Sequence, residues 1–230
     1  MKYNVGQLAT KALRSRGALM AVLAFGCAFA SATQASAQGV MPPPTPDLIK
    51  VPEGNSPFLF GHGVGTQGYI CLPTSAGAST AAWNANNARP EATLFANFFG
   101  QQVQIITHFL SPDTNPDPLT APNPLPFGSV TWQSSFDSSK VWAKKVNAIP
   151  AGSDPQSCPN SGAVACLLLQ SIGSENGPTG GKLLSQTSFI QRLNTRGGLA
   201  PTDGCSTSTD VGKQALVPYS ADYYFFRANN

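Results

Sequence analysis

The chain has 230 residues, a formal net charge of +3 and only 11% charged residues. Four of its 14 basic residues, and none of its 11 acidic ones, precede residue 38, so the remainder carries −1. A near-neutral chain of this kind has no electrostatic footprint for nucleic acid and no polybasic surface for anionic lipid.

Residues 1–37 read as a secretory signal peptide. Lys2, Lys11, Arg14 and Arg16 open it, an uncharged apolar run fills 18–30, and Ala35-Ser36-Ala37 is a small-x-small cleavage site. The apolar run is shorter than the roughly 20 residues a spanning helix needs. The expectation is therefore cleavage near Ala37, a mature chain without a transmembrane segment, and a periplasmic or secreted protein. Cys27 follows Ala24-Phe25-Gly26, a faint lipoprotein-type site that would instead anchor the protein. Phe25 fits that pattern poorly.

Residues 38–57 contain Pro42, Pro43, Pro44, Pro46, Pro52 and Pro57, which predicts an extended, flexible lead-in. Residues 58–230 then suit a single domain. Gly63-Val64-Gly65-Thr66-Gln67-Gly68 spells the dinucleotide fingerprint. That site requires a strand before the glycines and, after them, a helix whose amino end holds the pyrophosphate. Strand-like residues and Pro73 follow instead, so the glycines read as flexible residues leading into a strand. No dinucleotide or other cofactor is expected.

Eight runs rich in Val, Ile, Thr, Tyr, Phe and Trp are bounded by Gly, Pro, Asn, Asp and Ser. They predict strands over 67–72, 92–98, 101–110, 129–134, 140–149, 163–170, 183–194 and 215–227. Residues 164–169 are apolar throughout, which suits a strand covered on both faces or a short buried helix. Between the third and fourth runs, six prolines in 111–127 forbid a helix and block a central strand, leaving a long loop. Many short strands without a long amphipathic helix argue for an all-β antiparallel sandwich or barrel.

Four cysteines follow the signal: Cys71, Cys158, Cys166 and Cys205. An even number in an exported chain favours disulfides, and four cysteines allow three pairings. The favoured one joins Cys158 to Cys166 across a short loop and Cys71 to Cys205 across a long one. A zinc site is disfavoured because no Cys-x-x-Cys pair is present.

His62 and His108 are the only histidines, 46 positions apart and without metal-ligand spacing, so no metal is expected. His108 ends an apolar strand just before the proline loop, where it could line a cleft. Asp137-Ser138-Ser139 is first a turn signal. His108 with Asp137 is a weak candidate pair for a hydrolytic or metal-assisted enzyme, and no Gly-x-Ser-x-Gly elbow marks a nucleophile. Trp83, Trp132 and Trp142 each sit in or beside a predicted strand and suit a core. Lys140, Lys144 and Lys145 suit a solvated face. Arg192, if buried, would need a carboxylate partner, for which Asp137 or Asp222 could serve. The ligand-binding candidates are His108, Trp132 and Arg192.

Several of these residues fall into one pattern. Residues 191–201 (QRLNTRGGLAP), then Cys205, then Val217-Pro218-Tyr219-Ser220-Ala221-Asp222-Tyr223 with Phe225, resemble the carboxy-terminal signature of the family called "domain of unknown function 3455". Gln67, Cys71, Trp83, residues 90–94, His108, Thr131-Trp132 and Asp137-Ser138-Ser139 with Val141 follow the order of the same family. The resemblance runs from about Gly65 to Phe226. This chain has Asp-Ser-Ser where the family often has Asp-Gly-Ser, which bears on the local turn. The resemblance implies an exported protein and lends no catalytic residue. The expectation is a disulfide-stabilised β domain that binds an unidentified ligand or surface without catalysis. The alternatives are the His108–Asp137 enzyme and a structural envelope protein.

Overall fold

The computed structural model describes residues 39–111 and 128–229, with the side chains of 85–88 excepted. The expected signal peptide with Cys27, and the Pro-rich segment from 112 to 127, lie outside the described residues. The described residues group as one compact unit.

Eight strands follow one another in the chain: β1 (Asn55–Pro73), β2 (Ala81–Phe98), β3 (Gln101–Ser111), β4 (Ser129–Ser134), β5 (Lys140–Ile149), β6 (Cys166–Glu175), β7 (Phe189–Gly197) and β8 (Gln214–Ala228). Each pairs antiparallel with the next, and β8 returns to pair with β1, so the sheet closes into an up-and-down barrel. Closure removes both sheet edges. The all-β antiparallel expectation holds, and the barrel is the member of the pair that forms. Of residues 164–169, 166–169 open β6 as a strand covered on both faces, not a helix: Leu169 packs in one buried cluster and Leu168 in another.

The up-and-down order separates the connections into two ends. The β1–β2, β5–β6 and β7–β8 connections share one end. Both disulfides lie there: Cys71 near the end of β1 joins Cys205 of the β7–β8 connection, and Cys158 of the β5–β6 connection joins Cys166 at the start of β6. Both expected pairings are thus present, with Cα atoms 5.6 Å and 6.1 Å apart. The opposite end is filled by the β6–β7 connection, whose Leu184 is fully buried in the same cluster as Leu94, Ile105, Ile106, Ile190 and Phe225.

Period-2 alternation decides which side chains face inward. On β8, Tyr219, Ala221, Tyr223 and Phe225 belong to the interior cluster, while Tyr224 and Phe226 belong to a second cluster outside the barrel. That outer cluster corrects one expectation. Residues 39–51 are docked rather than flexible: Ile49 is fully buried among Ile149, Leu168, Leu193 and Phe226, and the buried Gln191 amide donates to its carbonyl at 2.8 Å.

The glycine run is corrected too. Gly63, Gly65 and Gly68 do not precede a strand but lie within β1, paired to β2 on one side and β8 on the other. Their role is close approach. A Cβ on Gly63 would sit 2.8 Å from Cε2 of Tyr223, so glycine there makes room for the tyrosine ring inside the barrel.

Candidate ligand-binding site

An eight-stranded barrel encloses a space just wide enough for its own side chains or one small ligand. Here the interior changes character along its axis. Apolar side chains fill the end plugged by Leu184. From the middle toward the disulfide end, the inward positions carry Gln67, Tyr69, His108, Trp132, Arg192, Tyr219 and Tyr223.

The register brings these residues together. His108 of β3 pairs with Trp132 of β4, and their rings stack with centroids 4.2 Å apart and planes 11° from parallel. Tyr223 of β8 meets both edge-on, its centroid 5.6 Å from His108 and 6.1 Å from Trp132. Arg192 of β7 pairs with Tyr223 in register and shares the inward face of Ile190. It donates to the Ala165 carbonyl at 2.9 Å. The Tyr219 and Tyr223 hydroxyls lie 3.0 Å apart, and the Tyr69 hydroxyl donates to the Gly198 carbonyl. The three ligand-binding candidates therefore occupy one interior cluster. The three tyrosines were not among the candidates, although the alternation of Tyr219, Ala221, Tyr223 and Phe225 is the signal that places them on one face.

Electrostatically the cluster holds one cation. Burial lowers the His108 pKa to about 3, the Thr131 carbonyl opposes that shift, and the Arg192 charge adds to it. Because a carbonyl can only accept, the 2.8 Å contact between His108 Nδ1 and Thr131 O puts the proton on Nδ1 and leaves Nε2 as an acceptor. Burial likewise raises the pKa values of Tyr69, Tyr219 and Tyr223, so all three stay protonated.

Asp137 is not part of this cluster. It lies in the β4–β5 turn at the plugged end. Burial disfavours its ionised form, but hydrogen bonds outweigh that and lower its pKa to about 2: from Leu183 N–H first, then from Ser139 and Ser134. Its oxygens accept from Leu183 N at 2.9 Å and Ser139 Oγ at 2.7 Å, and the Ser139 hydroxyl oxygen accepts from Leu184 N at 2.9 Å. These bonds pin the β6–β7 connection over the barrel end. Among the described residues no contact joins His108 to Asp137.

The expected partnership of Arg192 with Asp137 or Asp222 is corrected as well. Asp222 faces outward, accepting from Asn194 at 2.9 Å and lying 2.7 Å from His62 Nδ1 on the barrel surface. This His62–Asp222 pair escaped the sequence reading because the β1–β8 register alone makes it. Trp142 is buried and donates to Ser111 Oγ, whereas the partly exposed Trp83 donates to the Asp203 carbonyl beside the Cys71–Cys205 bridge. Lys144 and Lys145 are exposed and Lys140 pairs with Glu175 at 3.6 Å, as a solvated face requires.

Among the described residues no group of three or more His, Cys, Asp or Glu side chains is placed to hold a metal, and no helix is long and apolar enough to cross a membrane. A shallow groove of about 380 Å³ runs over Val64, Glu91, Thr93, Thr107 and Phe109 on the outside of β1, β2 and β3. No curated protein and no solved structure matches the chain. The barrel, both disulfides and the interior cluster all fall within the stretch that a family model matches, residues 52–227, and the chain belongs to that family, described as Protein of unknown function (DUF3455).

Proposed function

We propose that this is an exported, disulfide-stapled β-barrel that binds a ligand inside the barrel without catalysis, using His108, Trp132 and Arg192. The observation that carries this reading is the graded interior. A barrel needing only stability would continue its apolar packing through the centre, since buried polar groups add little net stability even when fully bonded. This one spends its middle on a histidine, an arginine, a tryptophan and three tyrosines. Apolar pockets with a few convergent polar groups are the usual form of a small-molecule site. The two disulfides support the reading twice. They suit an oxidising compartment outside the cytoplasm, and they fix the loops at the end nearest the polar cluster.

The catalytic alternative has less support. The carboxylate of Asp137 is engaged in holding the β6–β7 connection, and among the described residues no carboxylate bonds to His108.

Mass spectrometry of the protein purified after export tests the proposal. Under native conditions the expected spectrum shows a chain beginning near Gln38, two disulfides and a retained small-molecule mass. That extra mass should disappear on denaturation and be reduced in Trp132→Ala. Equal native and denatured masses, with no small molecule released into the denatured supernatant, would overturn interior binding.

A further inference from the structure

Among the described residues of the barrel interior, unpartnered hydrogen-bond donors outnumber unpartnered acceptors. Arg192 Nε and Trp132 Nε1 are both buried without a partner among them. A third donor follows from the phenols. One hydrogen bond joins the Tyr223 and Tyr219 hydroxyls. Whichever of the two donates in it, the other's proton makes no bond among the described residues, and the His108 Nε2 lone pair can take at most one of the three donors. At least two donors therefore stay unmatched. The three donors gather around Tyr223: Trp132 meets it edge-on, Tyr219 shares its hydroxyl bond and Arg192 pairs with it in register. Among the described residues no carboxylate bonds to Arg192, because Asp222 and Asp137 are engaged elsewhere.

Water does not resolve this imbalance. Each water that accepts a proton brings two of its own, so the surplus moves without shrinking. A carboxylate accepts only, and it supplies the charge that a partly buried guanidinium otherwise lacks. The site holds a single cation, since His108 is neutral, and this favours a monoanion over a phosphate dianion. The faces and edges of His108, Trp132 and Tyr223 favour an organic body over a bare inorganic ion.

We infer that the barrel binds a small organic monocarboxylate, its oxygens accepting from Arg192 Nε–H, Trp132 Nε1–H and the unmatched phenolic proton. The inference rests on the interior-binding reading above and narrows it to one ligand class. The test is a titration of the exported protein, freed of retained ligand, followed by calorimetry and tryptophan fluorescence. The probes are acetate, butyrate and benzoate, each against its amide (acetamide, butyramide, benzamide), with inorganic phosphate as a further arm. At least one acid should bind ten-fold or more tightly than its amide and than phosphate. Arg192→Gln should abolish the preference for acid over amide, and Trp132→Phe should weaken the acid several-fold without changing the amide. Circular dichroism reports whether the variants fold. If Arg192→Gln does not, the acid–amide comparison on the unaltered protein still decides. Equal binding of acid and amide, or tighter binding of phosphate, would overturn the carboxylate assignment and leave interior binding standing. Binding of none of the probes, together with no retained mass in the native spectrum, would overturn both.

Discussion

His108 combines two demands that pull in opposite directions. Its ring stacks on Trp132 and its Nδ1–H satisfies the Thr131 carbonyl, yet burial forbids it a charge. In the folded protein its pKa is lowered to about 3, against about 6.5 in an unfolded chain. Between those values the unfolded state takes up a proton that the folded state refuses. Stability from this residue is thus fully present above about pH 6.5 and declines as the pH falls toward 3. His108→Phe keeps the stacked ring and removes both the titration and the Thr131 bond. At pH 7 the variant should be less stable by about 1–2 kcal/mol, the cost of leaving a buried carbonyl without its donor. At pH 4 the gap should shrink or reverse, because only the unaltered protein has lost stability over that interval. Urea midpoints at the two pH values check this, and a gap of constant size would show that His108 takes up its proton as readily in the folded barrel as in the unfolded chain.

At the scale of elements, the strands were legible, and so were the starting points of all but β1, β2, β6 and β7. The predicted runs at 129–134 and 140–149 coincide with β4 and β5. The first two strands begin well before expected, at Asn55 and Ala81. The reason lies in residues that normally punctuate strands. β1 runs through Gly61, Gly63 and Gly65, and β2 runs through Pro90, which pairs with Gln67 beside a register shift. Such shifts tolerate a proline that a regular ladder would reject. The β4–β5 turn shows the opposite case, a residue that fits its place badly. Ser138 has φ +60°, a left-handed conformation that costs a non-glycine residue about 1–2 kcal/mol. Ser138→Gly should therefore stabilise the fold by about 0.5–1 kcal/mol, after allowing for the extra entropy of glycine in the unfolded chain. The turn bonds of Asp137 and Ser139 should remain. A thermal melt showing no gain would mean that the Ser138 side chain offsets its own backbone strain.

For the molecule as a whole, closure is the feature that local pattern could not reveal. Whether eight antiparallel strands form two sheets or one ring depends on whether β1 meets β8, strands that begin some 160 residues apart, and no periodicity encodes that meeting. The inward cluster depends on it too, because Gly63 and Tyr223 face each other only across the closing seam. The cysteines were the one long-range signal in the sequence, and Cys71–Cys205 ties the end of β1 to the connection entering β8, the same seam. Its sequence separation is 134, against 8 for Cys158–Cys166. In the chain-entropy model, cross-links of these lengths restrict the unfolded state by about 5 and about 2.5 kcal/mol respectively. Removing each pair as a double alanine variant should therefore destabilise the barrel unequally, with the Cys71–Cys205 loss the larger by about 2 kcal/mol. Cys158 and Cys166 are both buried, whereas in the long bridge Cys71 is buried and Cys205 only partly so; the short bridge's alanine variant therefore leaves the larger cavity, which works against the predicted order. Chemical reduction of the unaltered protein separates the two effects, because it opens the loops and leaves every sulfur in place. If stepwise reduction and the alanine variants agree that the long bridge dominates, loop closure at the seam is what the disulfide contributes. If the short bridge proves the greater, packing of the outer cluster around the docked lead-in outweighs chain entropy in holding this barrel shut.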